Sequence, residues 1–472
     1  MNTTRALAAA VILVTLCQAP ATAAAREGTL SWGDCPGGDG GTGMRCATLR
    51  VPVDWSKPGG RTIELKLGRL AATGSRPAEG TVLANFGAGA PGIAYLRDVP
   101  GVSAAFTRLR QSMDIVTWDP RGYTNGYSTH LPCEIKKKTL PEPPEDQAGF
   151  DMIAAGNRAD AAPCHDPDPE LFDSIGSVTH ARDMEAIRRA LGESRLNLFM
   201  GSYGGVFGQA YARLFPKRIR TMVVDGTGNM TDLEEEDEAR ARDSERRLRR
   251  FLAWCEDEPS CVLRGKDVPR LWQDLVARAD RVPLQPGGFD GVKLQDYLGQ
   301  ALISQSAGPE RWPAIAEATA EAIAAAARGD ASKFAPLGTL VGTNPDVIAC
   351  QDMPRPASYA ALTAFMKRLR AVAPNTGTGG TTAVGRLRCL GYPSPVTFPS
   401  GPLPKTVPPL LGVGTWADYP ATERVVRQVR GSATIYHDGP GHEIYLSGNA
   451  CVTRKVNAYL VDKILPAPGT KC

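Results

Sequence analysis

Two patterns of apolar and polar residues divide the chain. Segments 46–53 and 63–70 show partial alternation of apolar and polar positions, which predicts two half-buried antiparallel strands. Short continuous apolar runs come later, and such runs are typical of strands that are buried on both faces. The runs that predict buried strands are 81–85, 113–118, 196–199, 221–225, 410–413 and 432–436.

Helical patterns separate several of these runs. Met184, Ile187 and Leu191 recur at helical spacing, and Gly192 follows as a stop signal. Strands that alternate with helices predict a mostly parallel sheet with helices on both faces. Between 226 and 405 the chain becomes helix-rich, charged and alanine-rich, without a clear run of buried strands. We therefore predict an α/β fold with a helical cap inserted into it.

The predicted organisation is a core in two parts with the cap between them. The first part of the core is 26–225, the cap is 226–405, and the C-terminal part of the core is 406–472. Residues 1–25 have the pattern of a signal peptide, with Arg5 before a short apolar run and small residues at its end. That run is too short to span a bilayer as an ordinary helix, so we expect a secreted, extracellular protein without a transmembrane segment. Cys17 raises a lipoprotein alternative.

Charge and cysteine content narrow the class further. The net charge of +4 over 472 residues is too small to indicate a nucleic-acid partner. Ten cysteines remain once Cys17 is set aside, and in an oxidising compartment they predict a disulfide framework. Sequential pairing is the simplest hypothesis, although sequence does not fix connectivity. The five neighbouring pairs are Cys35 and Cys46, Cys133 and Cys164, Cys255 and Cys261, Cys350 and Cys389, and Cys451 and Cys472.

Residues 200–205 carry the strongest chemical signal. The segment Met-Gly-Ser-Tyr-Gly-Gly follows a strand-like run and precedes a helix-like run, which is the layout of a nucleophile elbow around Ser202. A serine hydroxyl attacks well only when it stands clear of the backbone beside a base, and glycines make room for the tight turn. Met200 departs from the usual pattern, which has glycine at that position.

A base and an acid follow the serine in the order of the α/β-hydrolases. Asp418 comes after the 410–413 run, and His442 lies in a glycine-rich turn after the 432–436 run. Ser202, Asp418 and His442 therefore form the predicted catalytic triad, because parallel strand ends meet at one edge of the sheet. Asp225, at another strand end, is the reserve candidate for the acid.

A serine hydrolase also needs donors for the developing oxyanion. The backbone N–H of Tyr203, just after the nucleophile, is the first candidate. The second should come from the glycine-rich loop after the 81–85 strand, where we predict Ala88 and, as an alternative, Gly87. No metal or organic cofactor is expected for this chemistry.

These residues together resemble the secreted tripeptidyl aminopeptidase-like and prolyl-iminopeptidase-like α/β-hydrolases. The resemblance covers nearly all of the mature chain and includes the segments 46–55, 119–122, 183–192, 201–204 and 458–472. It implies a serine exopeptidase that acts on peptides with a free N-terminus, under a cap that excludes long chains. The oxyanion loop departs from the family's pattern, and strict alignment places Ala417 where the family has its acid, with Asp418 one residue later.

Three hypotheses for function follow. The first is an aminopeptidase that releases short peptides through an acyl-enzyme intermediate, and the second is a carboxylesterase with the same triad. The third is a catalytically inactive binding protein on the same scaffold. A peptidase for free N-termini needs an acid to pair with the ammonium group, and Glu234, Glu235 and Glu236 of the cap are candidates.

Overall fold

The computed structural model describes most of the chain after the predicted signal peptide, which lies outside the described residues. The described residues are 30–75, 80–87, 90–123, 126–131, 133, 143–334, 336–337, 346–378, 382–399 and 401–472.

A nine-stranded sheet forms the centre of the molecule, in the order β1-β2-β4-β3-β5-β6-β7-β8-β9. β1, β2 and β4 pair antiparallel, and all the other neighbours pair parallel. The predicted α/β architecture with a mostly parallel sheet is thereby confirmed. The strands are β1 Arg45–Pro52, β2 Thr62–Leu70, β3 Thr81–Asn85, β4 Asp114–Trp118, β5 Leu196–Gly201, β6 Ile219–Asp225, β7 Leu411–Gly414, β8 Ala433–Tyr436 and β9 Thr470–Lys471.

Fifteen α-helices are described around this sheet. They are α1 Gly92–Asp98, α2 Val102–Ala105, α3 Gln147–His165, α4 Pro169–Phe172, α5 Ser177–Ala190, α6 Gly204–Leu214, α7 Leu233–Asp257, α8 Val268–Ala279, α9 Gly291–Ile303, α10 Trp312–Ala327, α11 Asp346–Asp352, α12 Tyr359–Val372, α13 Thr382–Arg388, α14 Tyr419–Val426 and α15 Ala450–Asp462. Short 3-10 turns occupy Leu109–Gln111, Pro216–Arg218 and Ser304–Ala307.

Alternate residues of the central strands pack on opposite faces of the sheet. Leu198 and Met200 of β5 join the core that α5 and α6 cover, whereas Phe199 joins the core beneath α1 and α15. Every residue of β3 and β5 is buried, as expected for strands with helices on both sides. The continuous apolar runs in the sequence have this origin.

Helices α7 to α10, which follow β6, have an apolar core of their own. Phe251, Trp272, Leu298 and Phe334 belong to this separate cluster. α7 begins at the N-cap Asp232, whose side chain accepts a hydrogen bond from the Glu235 amide at 3.1 Å. These four helices therefore share a core that is separate from the clusters on the two faces of the sheet.

Five disulfides brace the molecule, and sequential pairing of the cysteines is confirmed. The bonds are Cys35–Cys46, Cys133–Cys164, Cys255–Cys261, Cys350–Cys389 and Cys451–Cys472. Within the part of the chain that the structure describes, none of the helices is both long enough and apolar enough to cross a membrane.

Candidate active site

Ser202 lies at the sharp turn between β5 and α6. Its backbone φ of 50° falls in the left-handed region, which is uncommon for a residue with a Cβ and is concentrated at functional sites. The Ser202 amide donates to the carbonyl oxygen of Asp225 at 2.9 Å. The turn therefore holds the serine at the carboxyl end of β5, beside the end of β6.

Two glycines after the serine make this turn possible. A Cβ at Gly204 would lie 2.5 Å from Asn85 Oδ1, and a Cβ at Gly205 would lie 2.1 Å from Thr227 Oγ1. Side chains at these positions would push α6 away from the end of β3 and from the loop that follows β6. The glycine-rich sequence is thus explained by close packing.

Met200 does not disturb the elbow. Its side chain is fully buried in the core between the sheet and α6. A Cβ at Gly208 of α6 would lie only 3.1 Å from Met200 Cγ. The absence of a side chain at Gly208 therefore makes room for the side chain of Met200. The departure from the usual pattern is accommodated by a glycine one turn into the helix.

The loop after β3 packs against the nucleophile. A Cβ on Gly87 would lie 3.0 Å from Ser202 Oγ and 3.1 Å from the Tyr203 nitrogen. The Gly87 amide itself donates to Asn85 Oδ1 at 3.0 Å, so it is already engaged within its own loop. Ala88, the other predicted donor, lies outside the described residues.

His442 and Asp418 form a directly bonded pair. His442 Nδ1 lies 2.6 Å from Asp418 Oδ2, and Nδ1 carries the hydrogen because a carboxylate can only accept. The Asp418 side chain is 12% exposed, and the imidazole is 32% exposed. Burial disfavours the charged imidazole, but the hydrogen bond and charge of Asp418 outweigh it and raise the pKa of His442 to about 9.

Asp418 is fixed by its own loop as well as by the histidine. Its Oδ1 accepts from the Thr415 amide at 2.7 Å, which leaves Oδ2 aimed at the imidazole. A Cβ on Gly226 would lie 2.7 Å from the imidazole and 2.8 Å from Asp418 Oδ2. Because Gly226 follows Asp225, which holds the Ser202 amide, the pair lies beside the strand end that supports the serine.

Asp225, the reserve acid, has a different set of partners. Its carboxylate accepts from the amides of Ile444 at 3.3 Å and Tyr445 at 2.9 Å. Burial raises the pKa of Asp225 to about 7 despite these two bonds. Asp225 thus shapes the loop that follows His442, and Asp418 is the aspartate that bonds the imidazole.

Glu443 was not singled out from the sequence, although it follows the predicted histidine directly. Its side chain is buried, and its Oε1 has no hydrogen-bond partner within the described part of the chain. A Cβ on Gly201 would lie 1.9 Å from that oxygen, so the carboxyl group packs directly beneath the elbow. Burial raises the pKa of Glu443 to about 8.

Asp352 of α11 joins the cap to the elbow, and no local motif marks it in the sequence. Its Oδ2 accepts from the Tyr203 hydroxyl at 2.7 Å, and its Oδ1 accepts from the Ser177 amide at 2.9 Å. Burial raises the pKa of Asp352 to about 6 and holds the pKa of the Tyr203 hydroxyl well above its ordinary value.

The acids that were candidates for the substrate's ammonium group lie at the start of α7. Glu236 is buried and pairs with Arg240 at 3.0 Å and with Arg424 at 2.9 Å. Glu235 is exposed, and the side chain of Glu234 lies outside the described atoms. The carboxylate of Glu236 thus already forms ion pairs with two arginines.

Two family models match parts of this chain. Residues 101–292 match the family described as alpha/beta hydrolase fold, and residues 376–472 match the family described as TAP-like protein. The chain is 27% identical over 467 residues to Serine protease Hip1 of Mycobacterium tuberculosis, covering 91% of this chain and 87% of that protein.

Two other relatives carry different activity names. Tripeptidyl aminopeptidase of Streptomyces lividans is 28% identical over 482 residues, covering 95% of this chain and 87% of that protein. Carboxylesterase B of Mycobacterium tuberculosis is 29% identical over 457 residues, covering 91% of this chain and 86% of that protein.

The sheet, the elbow and these matches define the protein as a serine hydrolase of the α/β-hydrolase fold. Within that class, the TAP-like match and the relatives named serine protease and tripeptidyl aminopeptidase support the α/β-hydrolase peptidase family that the sequence resemblance implied.

Proposed function

We propose that the protein is an exported serine exopeptidase that releases short peptides from the N-termini of peptide substrates. Ser202 is the nucleophile, His442 the general base and acid, and Asp418 the orienting acid. The observation that carries the proposal is the 2.6 Å bond between His442 Nδ1 and Asp418 Oδ2 at the strand ends beside the elbow. A half-buried carboxylate that fixes the imidazole in this tautomer leaves Nε2 free to accept a proton.

The reaction proceeds in two halves. His442 Nε2 takes the proton of the Ser202 hydroxyl as Oγ attacks the substrate carbonyl, and Asp418 stabilises the imidazolium that forms. The tetrahedral intermediate collapses as His442 gives its proton to the leaving amine, and an acyl-enzyme ester remains on Ser202. Water then attacks this ester while His442 takes a proton from the water. His442 gives that proton to Ser202 Oγ as the carboxylic acid product leaves, which regenerates the free serine.

In both halves of the reaction, the negative charge that develops on the substrate oxygen needs two hydrogen-bond donors. The Tyr203 amide follows the nucleophile directly and faces the loop that contains Gly87. Because the Gly87 amide is bonded to Asn85, we assign the second donor to the amide of Ala88. Preorganised donors of this kind typically contribute about 3 kcal/mol each to transition-state stabilisation.

The cap supports an exopeptidase over an enzyme for long chains. Asp352 of α11 bonds the residue next to the nucleophile, and the carbonyl of Gln305 accepts from the Gly441 amide at 2.8 Å. Elements of the cap thus touch both the elbow and the histidine loop. A cap this close to the nucleophile limits the length of substrate that can enter.

The experiment that tests the proposal compares wild type with Ser202→Ala on three substrates: a tripeptide anilide with a free N-terminus, its N-acetylated form, and a simple nitrophenyl ester. We expect wild type to prefer the free peptide, and Ser202→Ala to lose hydrolysis while its melting temperature is retained. Undiminished turnover by the variant would exclude Ser202 as the nucleophile.

The carboxylesterase alternative is supported by the relative that carries that name. It predicts that the ester is the preferred substrate and that acetylation of the peptide N-terminus makes no difference. A catalytically silent binding protein, in contrast, would turn over none of the three substrates.

A further inference from the structure

One side of α7 carries arginines that lie over the proposed site. Arg240, Arg247 and Arg250 are seven and three residues apart, so they share one face of the helix. Arg250 Nη1 donates to the Trp416 carbonyl oxygen at 2.8 Å, and Arg247 Nη1 donates to the Ala417 carbonyl oxygen at 3.4 Å. Both carbonyls belong to the loop that ends at Asp418.

Arg240 reaches toward the other side of the site. Its Nη2 would lie 2.5 Å from a Cβ on Gly228, two residues beyond the Gly226 that packs on His442. Its positive charge also acts on the pKa of the Tyr203 hydroxyl, opposing the upward effect of burial. The arginine face therefore extends from the loop of the orienting acid toward the residue beside the nucleophile.

Arg247 is buried in this region without a carboxylate bonded to it. It is 8% exposed, and its Nε has no hydrogen-bond partner among the described residues. Burial, together with the charges of Arg240, Arg246 and Arg250, lowers the pKa of Arg247 to about 10.

Asp418 is the acid that offsets this lowering of the Arg247 pKa, but its two carboxylate oxygens already accept hydrogen bonds from His442 and Thr415. A buried cation without a bonded carboxylate is costly, so an anion that binds beside it stabilises it strongly.

Two acids on the same helix already pair with other arginines. Glu236 pairs with Arg240 and Arg424, and Asp243 pairs with Arg246 and Arg424. Among the described residues these two carboxylates face more guanidinium groups than they can neutralise. The surplus positive charge falls on Arg247 and Arg250, whose bonds go to backbone carbonyls and the Tyr436 hydroxyl.

We propose that Arg247, reinforced by the charge of Arg240, binds a carboxylate of the substrate next to the reacting carbonyl. This inference rests on the proposed function, because it places the anion beside the site that Ser202 and His442 are proposed to form. Guanidinium groups suit carboxylates through charge-assisted hydrogen bonds. The carboxylate belongs either to an Asp or Glu side chain of the substrate or to the C-terminus of a short peptide.

Two matched pairs of peptides separate these sources. The first pair is Ala-Ala-Glu and Ala-Ala-Gln, both as coumarin amides with a free N-terminus. The second is tetra-alanine with a free or an amidated C-terminus. We expect one pair to show a preference of about tenfold or more in kcat/KM for the carboxylate form, as is usual for a desolvated charge pair. The pair that shows it identifies the source of the carboxylate.

Arg247→Gln should abolish that preference, so that the ratio of the two kcat/KM values falls to about 1. Arg247→Lys should retain part of the preference because the charge remains. Arg249→Gln is the matched control, since Arg249 is exposed on the same helix and should keep the full preference. Melting temperatures establish that each variant is folded. Should Arg247→Gln fail to fold, Arg247→Lys provides the comparison, because a partial loss of the preference is expected there and an unchanged preference would overturn the inference.

Binding of the same peptides to Ser202→Ala, measured by calorimetry, separates this inference from the proposed function. A wild-type enzyme that hydrolyses none of the peptides would sink the exopeptidase proposal, while the calorimetric pairs would still decide the carboxylate site. Equal kcat/KM and equal affinity within both pairs would overturn the inference. So would a carboxylate preference that survives Arg247→Gln.

Discussion

At the scale of single residues, two left-handed backbone positions mark the site. Ser202 and Glu443 both have a φ of 50°, and each such position costs about 1–3 kcal/mol unless its surroundings hold it. Asp225 supplies support for both. Its carbonyl accepts from the Ser202 amide, and its carboxylate accepts from the two amides that follow Glu443. Asp225 is thus a positioning residue for both halves of the site.

The two aspartates should therefore differ in their effect on catalysis. Asp418→Asn should lower kcat/KM by about 10³-fold or more, because the imidazole loses its orienting charge. Asp225→Asn should act mainly on stability, with a loss in kcat/KM at least about tenfold smaller. Steady-state kinetics and thermal melts of both variants check this prediction. The opposite order would make Asp225 the catalytic acid.

The raised pKa of His442 sets the pH dependence of activity. The base must be neutral, so kcat/KM should rise with pH and reach its half-maximum above the ordinary histidine value of about 6.5, toward 9. Asp418 favours the charged imidazole, so Asp418→Asn should move that midpoint downward. A wild-type midpoint at or below pH 6.5 would contradict the account.

Glu443 should make stability depend on pH. Its folded pKa of about 8 lies above the ordinary 4.5, so the folded state holds the proton more tightly. The resulting stabilisation is present below pH 4.5 and is lost as pH rises through 8, on the order of 5 kcal/mol in all. Glu443→Gln mimics the protonated group, so its free energy of unfolding should fall less over this range than that of wild type.

Denaturant titrations from pH 5 to pH 8.5 measure this difference. Glu235→Gln, which alters an exposed glutamate of the cap, is the control and should follow wild type. Parallel pH profiles for wild type and Glu443→Gln would show that the buried carboxyl group is not held protonated.

At the scale of elements, the sequence predicted most of the sheet. The continuous apolar runs correspond to buried strands, and β3 has the predicted bounds because polar or glycine-rich segments flank it. β9 was missed, since Thr470–Lys471 is a two-residue strand whose pairing depends on β8 rather than on a local pattern. The elbow, the histidine and the acid were predicted from local motifs at the ends of strands.

The supporting residues could not be predicted in the same way. Asp352 is 149 residues from Tyr203 in the chain, and only the folded cap brings them together. The buried environment of Arg247 likewise depends on how α7 lies over the loop before Asp418. The mixed charges around Arg247 are typical of a solvated helix face, so the sequence alone does not indicate this burial.

The contact between the cap and the elbow should be measurable as a coupling energy. In a double-mutant cycle of Tyr203→Phe and Asp352→Ala, the buried bond should give an interaction free energy of about 1–3 kcal/mol. A cycle of Tyr203→Phe with Glu235→Ala is the control and should be additive within about 0.5 kcal/mol. Additivity in the first cycle would mean that Asp352 does not hold the elbow.

At the scale of the whole molecule, disulfides brace both the core and the cap. Cys350–Cys389 links residues 39 apart, whereas Cys255–Cys261 links residues 6 apart. Loop-closure entropy predicts that the longer link stabilises more, because it restricts more of the unfolded chain. All four cysteines are buried, so alanine is the appropriate replacement.

Replacing Cys350 and Cys389 together should lower the free energy of unfolding by about 4 kcal/mol, and replacing Cys255 and Cys261 by about 2 kcal/mol. Denaturant unfolding of the two double variants beside wild type measures both values. An equal loss, or a larger loss for the short link, would show that loop entropy does not govern their stability.

The proposed activity depends on the activation of one serine by a histidine that is distant in sequence. A fluorophosphonate probe followed by peptide mass spectrometry tests this most directly. The wild-type protein should be labelled on Ser202, and His442→Ala should lose nearly all of that labelling while remaining folded. A label on another serine, or equal labelling of Ser202 in His442→Ala, would contradict the account.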